Sequence, residues 1–386
     1  MVRYLPFFAS LAAATNLYAT HYDGEVYTLS LEDNSLSITS SSKTCGTHPS
    51  WLTFDSSTRT IYCSDHAGNS SMNGLLTSYS VNQDGSMTEL TSTVDVGAAV
   101  HSIIFGGKDG REKYLAIAHY GGSALSTFAL PLKSGEEPLQ VFHYKMAHPG
   151  IRPEQEAPHP HQVILDPTGD FILVPDLGAD QVRVYGIDHD SGHLNLCPSL
   201  NYTAGSGPRH GLFWKSSPSQ SDQVPLTMLY TVSELGGHFN AFEVSYLSSG
   251  CLGFKETQAF VPYPGGQLPA KGTPAEIRMA GDNLYASIRF DQGFAPNDSI
   301  STLVRSPDGT VSFSQITSAY GAVPRTFAIN NNGTLVAIAG QDSSNVAIVE
   351  RDPQSGKLGN LVANVPIVQP GQDKPSSGLS SIIWEE

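Results

Sequence analysis

The feature that most constrains this chain is an echo along it, with a spacing of roughly 50 residues. Six stretches share one pattern: a small residue or proline, a polar residue, an alternating strand, a turn, a second apolar strand ending in a polar residue, a glycine-rich turn and a third strand. They begin at His48, Val100, His159, Gly207, Thr273 and Val323. Such a period is that of a four-stranded propeller blade. Turn signals at Asp84-Gly85, Asp166 to Gly169, Asp308-Gly309 and Asn331 to Gly333 support the strand boundaries. With 37 glycines, 25 prolines and only 15% charged residues, long helices and coiled coils are excluded.

A seventh unit is split between the ends. Leu379 to Trp384 matches the first strand of a blade, and Asn16 to His21 with Glu25 to Leu31 matches the second and third. The expected fold is all-β: a single seven-bladed β-propeller over residues 15–386, its ring closed by the N-terminal strands pairing with the C-terminal strand. Two β-sandwiches would use the same strands but give no reason for the echo.

Residues 1–14 read as a signal peptide, with Arg3 followed by an apolar stretch that ends in three alanines. Glycosylation triplets begin at Asn69, Asn201, Asn297 and Asn332. The four cysteines, Cys45, Cys63, Cys197 and Cys251, allow three pairings, of which Cys45–Cys63 and Cys197–Cys251 close most readily within a local β-unit. Together these features predict a secreted or cell-surface protein; without them a cytoplasmic location would be the default. A net charge of −15 with no basic run argues against nucleic acid, and no apolar run approaches the roughly 20 residues that span a bilayer.

In a propeller the start of the inner strand and the end of the second strand meet at one mouth of the channel. The predicted inner-strand starts carry Ser50, His101, His161, Arg209, Arg325 and, one place further on, Glu276. The second-strand ends carry His21, Asp65, His119, Asp176, Glu234, Arg289 and Gln341. So many ionisable groups are costly to bury unless they pair or meet a ligand. One reading is a hydrated channel whose charges satisfy one another. The sharper reading is an anion site: arginines fork onto carboxylates or phosphates, while His161 and Glu234 are suited to proton transfer. No G-x-S-x-G elbow is present. His159 and His161 alone make a weak metal set, calcium at Asp65, Asp176 or Glu234 is a minor alternative, and no cofactor is expected.

The stretch HPHQVILDPTGDFILVPDLGADQVRVYGID, with the later GPRHGLFW, VSELGG, TPAEIRM and VPRTFAI, resembles the seven-bladed propeller lactonases. That family includes fungal carboxy-cis,cis-muconate cyclases and bacterial 6-phosphogluconolactonases. The resemblance runs from Leu17 to Trp384 and implies catalytic roles for His161, Arg209, Glu234 and Arg289; the repeat positions at the mouth add His101, His119, Asp176, Glu276, Arg325 and Gln341 as expected substrate contacts. It implies a lactone-forming or lactone-opening enzyme whose partner is a small anionic lactone or polycarboxylate. Export, a longer loop from Ser216 to Pro225 and the missing proline of the second unit depart from the family pattern. The contrasting expectation is a secreted propeller glycoprotein that binds a ligand or surface without catalysis.

Overall fold

The computed structural model describes residues 14–68, 74–107, 112–217, 225–368 and 378–386. The predicted signal segment, apart from its last residue, and the triplet at Asn69 lie outside them. The described residues form seven four-stranded antiparallel sheets, each meandering from an inner to an outer strand. Six use consecutive strands within residues 49–95, 99–143, 164–201, 208–260, 273–318 and 324–366. They are numbered two to seven below. The first blade is the composite one: Leu379–Trp384 pairs with Thr15–His21, which continues into Val26–Glu32 and Ser35–Ser42. Leu17 lies opposite Trp384 and Thr20 opposite Ser381, so the closure foreseen from the two ends is present.

Blades pack face to face mainly through apolar side chains of the inner three strands, with the heads of outer strands such as Val311 and Leu358 adding to the seams. Between blades five and six, Tyr230, Val232 and Phe239 meet Ile277, Leu284 and Leu303. A repeated tie crosses these seams. A buried tyrosine of one second strand donates its hydroxyl to a turn glycine carbonyl of the next blade: Tyr18 to Gly85 (2.9 Å), Tyr230 to Gly309 (2.8 Å) and Tyr285 to Gly356 (2.6 Å). Gly85 and Gly309 sit at φ +80° and +83°, where a Cβ is strained. The Asp-Gly turns thus shape the hairpin and supply an acceptor for the neighbouring blade.

Two disulfides are formed, Cys45–Cys63 and Cys197–Cys251. The first fastens the link between blades one and two, just before His48, to the second strand of blade two. The second joins the outer strand of blade four to the turn that enters the outer strand of blade five.

At the head of the inner strand the pairing slips by one residue in blade after blade. Pro49 faces Asp65 but Trp51 faces Ser64; the same step separates Ala99 from His101, Pro208 from His210 and Pro324 from Thr326. The extra residue is a β-bulge, and it turns one side chain per blade toward the channel. Just beyond, one backbone bond recurs: Tyr22 N to Gly378 O, His66 to His48, Tyr120 to Ala98, Leu177 to His159, Glu234 to Gly207 and Gln341 to Val323, all 2.8–3.1 Å. Arg289 faces Thr273 at the equivalent place.

Pairing with the last strand covers the inner edge of Thr15–His21 and completes the four strands of blade one. Deleting residues 379–386 is expected to leave Thr15–His21 unpaired on its inner side. Loss of a cooperative thermal transition and a shift to aggregates in size-exclusion chromatography would register it.

Candidate active site

These two repeated positions build a cavity of about 580 Å³ at one mouth of the channel. The bulge position supplies Val100, His161 and Arg325; the position after the second strand supplies Tyr22, His66, Tyr120, Glu234, Arg289 and Gln341; His48 enters beside them. The lining therefore comes from all seven blades and one of the links that enter them.

Glu234 is the acid among these lining residues, and arginines hold it from two sides. Arg289 Nη2 lies 2.5 Å from Oε1, and Arg209 Nε lies 2.8 Å from Oε2. The Arg209 contact is ionic rather than a well-aligned hydrogen bond. Arg209 is 1% exposed, sits behind the wall, and donates from Nη1 to the Ala275 carbonyl at 2.7 Å. Burial and the neighbouring Arg289 pull its guanidinium down to about 9, which still leaves it charged at neutral pH. Burial pushes the Glu234 carboxyl up, but Arg289 and Arg209 outweigh it, so the group stays below its ordinary range and ionised. Arg325 makes no ion pair with a described residue; its guanidinium lies 6.0 Å from the Tyr22 ring. Three arginines against one carboxylate leave two positive charges in excess at the cavity of an acidic chain.

Of the residues expected at the mouth, His161, Glu234, Arg289, Arg325 and Gln341 line the cavity, and Arg209 backs it. His119 and Asp176 do not. Each is the last residue of its second strand, one place before Tyr120 and Leu177, and a one-residue shift turns a side chain to the opposite face. His119 instead bonds Ser126, itself bonded to Asp95, and Asp176 pairs with Arg183 at 2.7 Å inside blade four. His21 and Asp65 share that inward face: His21 bonds Ser344, and Asp65 accepts the backbone amides of His48 and Ala67. The residues considered for calcium are thus already engaged.

His101 and Glu276 are also displaced from their expected place. Ala99 takes the proline position of blade three, so Val100 is the bulge residue and His101 lies one place deeper. There it stacks on Trp51, with ring centroids 4.1 Å apart. In blade six Ala275 precedes Glu276, which is fully buried against His210 and Arg278. Lys271 lies away from this cavity and lines a separate depression with Asp291, Asp298 and Asp342. Tyr22, His48, His66 and Tyr120 are lining residues that the sequence pattern does not single out. The tyrosines and His66 each follow directly on a second strand whose polar last residue is the more conspicuous.

The comparisons with known proteins converge on this architecture. Residues 16–372 match the family described as "Lactonase, 7-bladed beta-propeller". The chain belongs to that family. This lactonase is 28% identical over 312 residues to a "Probable 6-phosphogluconolactonase" of Arthroderma benhamiae, covering 80% of the chain and 75% of the relative. It is 26% identical over 293 residues to a 6-phosphogluconolactonase of Formosa agariphila, covering 75% and 77%. Its fold matches the periplasmic gluconolactonase PpgL of Pseudomonas aeruginosa, with a TM-score of 0.77 and 23% identity over 96% of this chain and 99% of the other.

The buried histidines around the channel are expected to make this lactonase sensitive to acid. Burial and nearby Arg325 lower His66 to about 4; burial lowers His210 to about 4 against the pull of Glu276. Both are neutral in the folded protein, while the unfolded chain protonates them near 6.5. The unfolded state therefore binds more protons between about pH 6.5 and 4, and stability falls as pH falls through that window. His210 alone accounts for about 3 kcal/mol. Glu276, held at about 2, extends the loss below pH 4.5. Denaturant midpoints measured from pH 7 to pH 4 should fall steadily, and a flat profile would contradict the buried neutral histidines.

Proposed function

We propose that the chain hydrolyses a small anionic sugar lactone, with a phosphate or carboxylate of the substrate held by Arg325. The observation that carries this reading is the excess of two positive charges at the cavity, one of them on a guanidinium with no ionic partner among the described residues. Such a group recognises an anion through forked, charge-assisted bonds. The relatives named 6-phosphogluconolactonase support a phosphorylated aldonolactone as the first substrate to try.

In this reading His161 is the general base. Burial and the Arg209 charge keep it well below its ordinary value, so it is unprotonated at neutral pH. Glu234, tied to two arginines, is a poor proton acceptor, and its role is to hold Arg289 in the cavity wall. His161 removes a proton from water as the oxygen attacks the lactone carbonyl. Arg289 faces the negative charge that develops on the carbonyl oxygen. Collapse breaks the ring C–O bond, and the His161 imidazolium returns its proton to the departing alkoxide, giving the open hydroxy acid.

His161→Ala should lower kcat by about 10²–10⁴-fold on the preferred lactone. Arg325→Met should raise KM for 6-phosphogluconolactone by about 10-fold or more, the loss of one charge-assisted contact, and leave neutral glucono-δ-lactone nearly unaffected. A spectrophotometric hydrolysis assay with both lactones and 3-carboxymuconate separates the readings. Turnover of carboxymuconate alone would assign the lactonising direction, and turnover of none would leave a binding protein.

We further propose that the protein works in an oxidising compartment, on the strength of its two disulfides and exposed triplets at Asn201 and Asn332. Asn297 is half-buried, with its backbone paired to Phe294. Protein recovered from its native source should shift in mobility on endoglycosidase treatment; an unshifted chain with free thiols would reverse the assignment.

A further inference from the structure

We infer that His210 and Glu276 are positioning residues that fix the tautomer of His161 and present its Nε2 lone pair to the cavity. The inference rests on the reading of His161 as the base. The three side chains come from adjacent blades, four, five and six, and form a chain of two short contacts. His161 Nδ1 lies 3.1 Å from His210 Nε2, and His210 Nδ1 lies 3.0 Å from Glu276 Oε1. All three are at most 4% exposed.

The proton positions follow from elementary bonding. Burial pushes the Glu276 carboxyl up, but Arg278 and His210 overcome this and hold it at about 2, so it is a carboxylate and can only accept. The proton between it and His210 therefore belongs to His210 Nδ1. A neutral imidazole carries one N–H, so His210 Nε2 presents a lone pair. The facing His161 Nδ1 must then carry the proton. This leaves His161 Nε2 unprotonated, on a ring that lines the cavity, with no hydrogen bond from Nε2 to a described residue. In the other tautomer that nitrogen would be a donor and of no use as a base.

The packing holds this arrangement in place. His101 meets the His210 ring edge-on with centroids 5.6 Å apart, and Trp51 meets it at 6.2 Å. Tyr120 meets the His161 ring at 5.6 Å. When His161 takes a proton from water, the new cation lies one imidazole away from the Glu276 carboxylate. The charges of Arg209, Arg289 and Arg325 oppose that cation, so the carboxylate at the far end of the chain offsets some of their effect. No proton needs to reach Glu276. The logic is that of a carboxylate orienting a catalytic histidine, lengthened by one ring.

The test reads the tautomer and the kinetics separately. Long-range ¹H–¹⁵N spectra of the intact protein at neutral pH should show His161 protonated at Nδ1 and bare at Nε2, without any substrate. Glu276→Gln keeps the side-chain size but adds a donor and removes the charge. It should lower kcat by about 10–100-fold with KM nearly constant, and alter the His161 nitrogen shifts. An Nε2–H tautomer in the wild type overturns the proposal, as does Glu276→Gln with wild-type kcat, or with reduced kcat but unaltered His161 shifts. If Glu276→Gln does not fold, the wild-type spectrum decides by itself. Absence of turnover on every lactone, with the expected tautomer present, would instead overturn the hydrolase reading. The two failures are thus distinguishable.

Discussion

One extra residue at the head of the inner strand governs this molecule. A regular antiparallel pair would send alternate side chains into the seams between blades, where apolar packing holds the ring together. The bulge interrupts that alternation at the same height in successive blades and frees one position per blade from the strand alternation, three of which line the mouth. The chain thus separates two demands. The strands below the bulge obey the core, and the residue at the bulge is left to chemistry. His161, Arg209 and Arg325 take that place in three blades, whereas Ser50, Val100 and Ala275 take it in others. The repeat supplies seven equivalent sockets, and the sequence fills only some of them with reactive groups.

Electrostatics explains why those groups lie together. A buried guanidinium such as Arg209 is tolerated only beside a compensating charge. Glu234 provides it from the same blade, and Glu234 in turn binds Arg289 from the next blade. The carboxylate is therefore shared across a seam, and neither arginine can be understood without it. At a deeper layer Glu276 has the corresponding role, compensating Arg278 while accepting from His210. Two carboxylates, Glu234 in the cavity wall and buried Glu276 behind it, thus hold a cationic rim and a neutral imidazole pair, without neutralising the rim altogether.

Much of this was legible in the residues alone. The period, the split blade and the convergence of His161, Arg209, Glu234 and Arg289 followed from the echo and from the family resemblance. His119 and Asp176 were misplaced for a specific reason. A second strand ends in two consecutive polar or aromatic residues, such as His119-Tyr120, and only the strand pairing tells which of them faces the channel. Polarity favours the first; geometry selects the second. His101 was misplaced by the same ambiguity, because Ala99 occupies the proline position without resembling it. His48 was hidden for another reason. It stands in the link between two blades, three residues after the Cys45–Cys63 disulfide fastens that link to blade two.

The two sides of the cavity now acquire different meanings. Blades four to seven contribute His161, Arg209, Glu234, Arg289 and Arg325, the ionisable groups to which the proposed hydrolysis gives its charge-holding and proton-moving roles. Across the mouth, blades one to three and their links contribute Tyr22, His48, His66 and Tyr120, of which Tyr22 contacts both His48 and His66 at ring distances of 6.2 and 5.7 Å. His66 is held neutral by burial and by Arg325, so its ring adds no charge to this wall near neutral pH. Planar, largely uncharged surfaces suit the face of a sugar or lactone ring, while the opposite wall suits its anionic group and its carbonyl. A substrate lying between them would be oriented by contrast alone, its ring on the aromatic side and its charge on the cationic side. In the proposed hydrolysis that orientation would place the carbonyl on the side of Arg289 and His161, and the asymmetry of an otherwise repetitive ring would then turn a channel mouth into a directional site.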